Sequence, residues 1–104
     1  VRGDVYRLKA PRDGVGHEQK GNRFAIIVQS DDLYSSTTIV VPTSTSAQPM
    51  DHRPVVKVLG RGTAVLPEQV MTIDPVRLGE RVDRLSLGEL QLVDDALRLV
   101  MALD

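Results

Sequence analysis

Apolar and polar positions alternate with a period of two near the start of the chain, gather into short apolar blocks through its middle, and repeat at helical spacing at its end. The stretch GDVYRLK alternates around the β-formers Val5 and Tyr6 and is followed by Pro11, Gly14 and Gly16, which predicts a strand and then a loop. FAIIVQ is too short for a helix and rich in branched residues, so it reads as a central strand buried on both faces. TTIVVPT repeats that pattern after the polar loop SDDLYSS. Pro42 cannot donate to a ladder, so this strand should reach a bulge or an edge there. The long polar loop STSAQPMDHR comes next. PVVKVLG and TAVLPEQVMTID then form an antiparallel pair joined by a tight turn at GRG, and a further short strand is expected around Glu80 to Arg84.

The period changes in SLGELQLVDDALRLVMAL. Leu90, Val93, Leu97, Val100 and Met101 fall on one helical face, and Ser86 with Glu89 has the spacing of a capping box, in which each side chain satisfies an orphan amide. Leu92, Leu99 and Leu103 widen that face beyond the stripe needed to cover a sheet, which fits either a contact with a second subunit or a deeply packed helix. Short strands closed by one terminal helix make an α+β fold around a small, strongly bent sheet.

A chain of 104 residues is expected to be one domain spanning residues 1–104. There is no cysteine, hence no disulfide, thiol nucleophile or thiolate zinc site. No apolar stretch approaches the roughly 20 residues of a membrane span and no signal-peptide pattern opens the chain, so a soluble, cytoplasmic protein is expected. Opening on Val1, the chain is also expected to lack a few residues of a native start. The formal net charge of -1 does not announce a nucleic-acid binder. Its distribution is uneven, however: Arg2, Arg7, Lys9, Arg12, Lys20 and Arg23 outnumber Asp4, Asp13 and Glu18, whereas Glu89, Asp94, Asp95 and Asp104 face Arg98 alone. One end could meet an anion, unless the imbalance is incidental.

P-loop, dinucleotide, HExxH and GxSxG motifs are all absent. His17 and His52 lie in different loops, where they are either solvated or an acid/base pair brought together by the fold. Arg23 stands at the seam between the polar segment GHEQKGN and the apolar run FAIIV. A guanidinium there suits either a grip on phosphate or carboxylate or an ordinary strand-edge ion pair. Thr43 occupies the equivalent place beyond IVVP, and if the two strands are neighbours, Arg23 and Thr43 converge, one supplying charge and the other a hydroxyl.

With these residues in place, the sequence resembles the MazF/PemK toxin family, ribonucleases of bacterial toxin and antitoxin pairs. Arg2, Gly3, Asp4, Val5 and Tyr6 match the family's opening RGDVY; Gly16, Glu18, Gln19 and Arg23 match its G-x-E-Q…R loop. Pro42, Thr43 and Ser44 match P-[IVL]-T-S, with Pro42 directly abutting Thr43. AVLPEQVMTIDPVRL resembles V-L-x-[DE]-Q-[IV]-x-T-[IV]-D-x-x-R-L, and a terminal helix follows.

The resemblance implies an SH3-like antiparallel β-barrel of the CcdB/PemK type with a C-terminal helix, usually a homodimer, and sequence-specific, metal-independent cleavage of single-stranded RNA, with no cofactor. By motif position Arg23 and Thr43 would be the catalytic pair, and His17, Glu18, Gln19 and Gln69 would line the RNA groove. His17 stands where many relatives have serine and could assist as acid or base. A cognate antitoxin with an acidic tail is implied as partner. The alternative is a CcdB-like toxin on the same barrel that binds DNA gyrase without catalysis, a choice that fold alone does not make.

Overall fold

The computed structural model describes residues 1–9 and 23–104. Seven strands, β1 (Asp4–Leu8), β2 (Phe24–Ile27), β3 (Thr38–Ser44), β4 (Val55–Val58), β5 (Arg61–Val65), β6 (Met71–Ile73) and β7 (Leu78–Arg84), precede one helix, α1 (Leu87–Met101). All pairings are antiparallel. The strands lie in the order β4-β5-β3-β2-β1-β7, with β6 on the remaining stretch of β3. The result is a curled half-barrel with α1 against one face.

Alternation along β2 explains the packing. Phe24 and Ile26 join Val5, Val41, Val56, Val65 and Val93 of α1 in one apolar cluster. Ala25 and Ile27 join Val40 and Ile73 in a second cluster, with Tyr6, Leu8, Met71 and Leu78 packed beside it. All of β2 is therefore buried, as its unbroken apolar run requires. Full burial of side chains such as Ile26 and Val41 stabilises the fold by about 1.5–3 kcal/mol each.

Pro42 is neither at a sheet edge nor in a bulge against β2, since it faces Ala25 in regular register. It lies where β3 changes partner on its other side. Residues Thr38 to Val40 pair with β6, Thr43 and Ser44 pair with β5, and the missing N–H of Pro42 falls between. Its carbonyl still accepts from Leu66 N at 3.0 Å.

That change of partner also corrects the expectation of one continuous strand through TAVLPEQVMTID. From Thr43 back to Val40, β3 advances three residues while its partner advances six, from Val65 to Met71. The surplus leaves the sheet as the 3-10 turn Pro67–Gln69, which Pro67 initiates. The β4–β5 turn is likewise displaced from GRG. Val58 faces Arg61, leaving Leu59 and Gly60 as a two-residue turn with φ of +53° and +79°, while Gly62 is already in β5.

In α1 both capping-box bonds form, between Ser86 and Glu89. Val93 and Ala96 are its buried residues, whereas Met101, expected on the packed face, is 45% exposed. Leu92, Leu99 and Leu103 are also exposed, so the reading of a deeply packed helix does not hold. The helix ends with Ala102 in the left-handed region, where Leu103 N bonds Arg98 O and Ala102 N bonds Leu99 O.

The barrel does not close by backbone pairing between β4 and β7. Instead, Lys57 N donates to Glu89 Oε2 at 2.8 Å and Leu59 N donates to Asp83 Oδ2 at 2.7 Å. Two carboxylates thus span the seam.

Candidate functional site

The strands carrying Arg23 and Thr43 are neighbours. β2 and β3 pair Ala25 with Pro42, so Phe24 comes opposite Thr43 and Arg23 lies at the adjoining step. The Thr43 hydroxyl donates to the Phe24 carbonyl at 3.3 Å, and Thr43 is only 2% exposed. Arg23 is half-buried, and its carbonyl accepts from Leu8 N at 2.9 Å. β1, β2 and β3 together hold this end of the sheet.

Arg7 faces Phe24 across β1 and β2, with its guanidinium 5.6 Å from the ring centroid and its Nε 3.6 Å from Glu80. A second cation is thereby stacked one strand away from Arg23. On the other side of Thr43, β5 places Val65 in register, and the chain runs directly into the turn carrying Gln69, which is exposed.

That turn is tied down by its neighbour. Glu68 Oε2 accepts from Arg53 Nε at 2.8 Å and Nη2 at 2.6 Å, and His52 Nε2 stands 3.8 Å from Oε1. Burial opposes ionisation of Glu68, but hydrogen bonds from Arg53 and from its own backbone, with the charges of Arg53 and His52, hold its pKa below the ordinary range. His52 is therefore seated on a carboxylate rather than freely solvated. Among the described residues, no three His, Asp or Glu side chains are grouped to hold a metal ion. A cavity of about 450 Å³ lies elsewhere, between α1 and the sheet, lined by residues including Arg2, Val28, Ile39, Asp94 and Leu97.

Residues 1–101 match the family model described as PemK-like, MazF-like toxin of type II toxin-antitoxin system. The chain belongs to this family. It is 38% identical to a toxin candidate of Mycobacterium tuberculosis over 99% of this chain and 98% of that protein. Solved structures share the fold at lower identity. A mycobacterial endoribonuclease in complex with its cognate antitoxin superposes with a TM-score of 0.79 at 18% identity, over 100% of this chain and 96% of that one. Toxin MazF-mt6 of Mycobacterium tuberculosis gives 0.77 at 15% identity, over 97% and 98%. MazF from Deinococcus radiodurans gives 0.76 at 20% identity, over 98% and 96%.

Of the residues expected at the site of this MazF-like chain, Arg23 and Thr43 lie one step apart on neighbouring strands, and Gln69 lies on the turn that follows β5. His17, Glu18 and Gln19 lie outside the described residues. Arg7 and the Arg53–Glu68 lock were not singled out from sequence. The reading of GDVYRLK as a strand covered Arg7, but only register reveals that it stacks on Phe24.

Proposed function

We propose that this MazF-like chain is a sequence-specific endoribonuclease that cleaves single-stranded RNA without a metal cofactor, leaving 2',3'-cyclic phosphate and 5'-hydroxyl ends. The observation that supports the reading is the β2–β3 register, in which Thr43 lies opposite Phe24 and donates to its carbonyl, one step along from Arg23. The ribose 2'-oxygen attacks its own phosphorus, the bond from phosphorus to the 5'-oxygen breaks, and the proton lost from the 2'-hydroxyl is balanced by one gained on the leaving oxygen. Negative charge builds on the non-bridging oxygens. A guanidinium, protonated at all ordinary pH, stabilises that charge and is a poor general base. Thr43 would exchange its long bond to the Phe24 carbonyl for a phosphate oxygen and so orient it.

His17, Glu18, Gln19 and Gln69 would read the RNA by hydrogen bonding. Stacking surfaces are scarce, since Tyr6, Phe24 and Tyr34 are the chain's aromatic residues. The chain would act in the cytoplasm as a homodimer, restrained by a cognate antitoxin whose acidic tail covers the groove. Two relatives of this fold are described as complexes, one with a cognate antitoxin and one as MazE–MazF. Leu92 and Leu99 of α1, with Leu103 just beyond it, are exposed and suit the contact with a second subunit; the alternative, second reading is a non-catalytic toxin that binds gyrase.

The test is incubation of long unstructured RNA with the protein in EDTA, with mapping of fragment ends. Discrete cuts with 5'-hydroxyl termini, reduced about 100- to 1,000-fold in Arg23→Ala with folding unchanged, are expected. Intact RNA together with inhibited gyrase would establish the second reading.

A further inference from the structure

The family-like motif around TIDPVRL carries an arginine, Arg77, that the proposed chemistry leaves unused. Its local structure is specific. Asp74 caps the 3-10 turn Pro75–Arg77, its side chain accepting from Val76 N at 2.9 Å while its carbonyl accepts from Arg77 N at 2.9 Å. Pro75 supplies the fixed φ of the first turn position. Leu78 then enters β7 opposite Leu8.

The next step of that ladder would pair Arg77 with Lys9. In an antiparallel hydrogen-bonded pair, each residue gives an N–H and takes one in its carbonyl. Lys9 N does donate to Arg77 O, at 2.8 Å. The return bond cannot come from Arg77 N, which Asp74 has engaged. Arg77 Nη2 makes it instead, donating to Lys9 O at 3.1 Å. A side chain thus substitutes for the absent backbone donor and fixes both polar groups of Lys9. Immediately before Lys9, Leu8 N holds the carbonyl of Arg23 at 2.9 Å.

We infer that Arg77 is a positioning residue: by clamping Lys9 it fixes the strand end to which the Arg23 peptide is bonded, and so aims the Arg23 guanidinium. The inference rests on the proposed role of Arg23 in RNA cleavage. Among the described residues Arg77 Nε has no hydrogen-bond partner, so a direct bond from the Arg77 guanidinium to an RNA phosphate is the competing account that the experiment must separate.

The experiment compares wild type, Arg77→Ala and Arg77→Lys by amide hydrogen exchange at Leu8 and Lys9 and by steady-state cleavage of RNA at several salt concentrations. In Arg77→Ala, faster exchange at both amides is expected, with kcat lowered about 10- to 100-fold and KM and its salt dependence unchanged, as suits a small misalignment of a reacting group. Arg77→Lys keeps a cationic donor on a long side chain and should recover part of the protection and of kcat. Unchanged exchange and kcat in Arg77→Ala would overturn the inference. So would a kept kcat with weaker binding and a salt slope reduced by about 0.7, the signature of one lost phosphate contact. If wild type itself leaves RNA intact, the ribonuclease reading fails; if wild type and Arg77→Ala cut equally, only the positioning role fails.

Discussion

Arg2 shows how much one side chain can hold. Its Nε donates to Val28 O at 2.8 Å, and its fork takes Asp94 at 2.7 and 3.2 Å, joining the start of the chain to the end of β2 and to α1. The bond to Asp94, opposed by burial and aided by the charges of Asp94 and Asp31, raises the Arg2 pKa. The two side chains are 29% and 23% exposed, so removing one strands the other partly out of water. Arg2→Ala should cost about 1–3 kcal/mol in urea unfolding. Adding Asp94→Ala to it should cost less than the sum of the two single losses. The neighbours are equally specific: Gly3 has φ of +90° with Leu90 3.4 Å from any added Cβ, and buried Asp4 lies between Arg81 and Arg84. RGDVY was readable as a motif, but not the reason for it, because a contact spanning 92 residues leaves no local trace.

At the scale of elements, the legible parts were those whose period or cap is local. β2, β3 and α1 follow from apolar runs and from Ser86 and Glu89. What misled was continuity: VLPEQVMTI reads as one strand because Pro67 alone interrupts it, and only the two partners of β3 show that three residues must leave the ladder. That excursion puts Gln69 on an exposed turn just after the β5 segment that pairs with Thr43. The placement of Arg23 and Thr43 was legible only as a condition on strand neighbours, which topology supplies and sequence does not. For α1, Ser86→Ala removes the acceptor for Glu89 N and should lower stability by about 1 kcal/mol. In a domain of this size that is a drop of about 4–8 °C in thermal midpoint, measurable by circular dichroism.

The whole molecule carries an acid sensitivity written in two glutamates. Glu89 has a lowered pKa, chiefly because Lys57 N donates to it and despite its burial, with Ser86 contributing further; that of Glu68 is lowered as well. Because both folded values lie below the ordinary 4.5, their contribution is fully present above that pH. It is lost as pH falls through the folded values. Urea midpoints should therefore hold near neutrality and decline below about pH 4.5. A Glu68→Gln, Glu89→Gln double variant should be less stable at pH 7 and fall less steeply on acidification.

Glu89 does this from the open seam of the half-barrel, where it occupies the Lys57 amide of β4 and Asp83 occupies that of Leu59 in the turn beyond. An unpaired strand edge is a template on which another chain can add a strand. Here the template is blocked at Lys57 and Leu59 by carboxylates that accept from the amides an incoming strand would need, and whose charge a neighbouring sheet would have to desolvate. Protonation of Glu89 weakens its hold on the Lys57 amide at the same moment that it loosens the fold, so edge-to-edge association at low pH is the expected outcome, to be checked by light scattering.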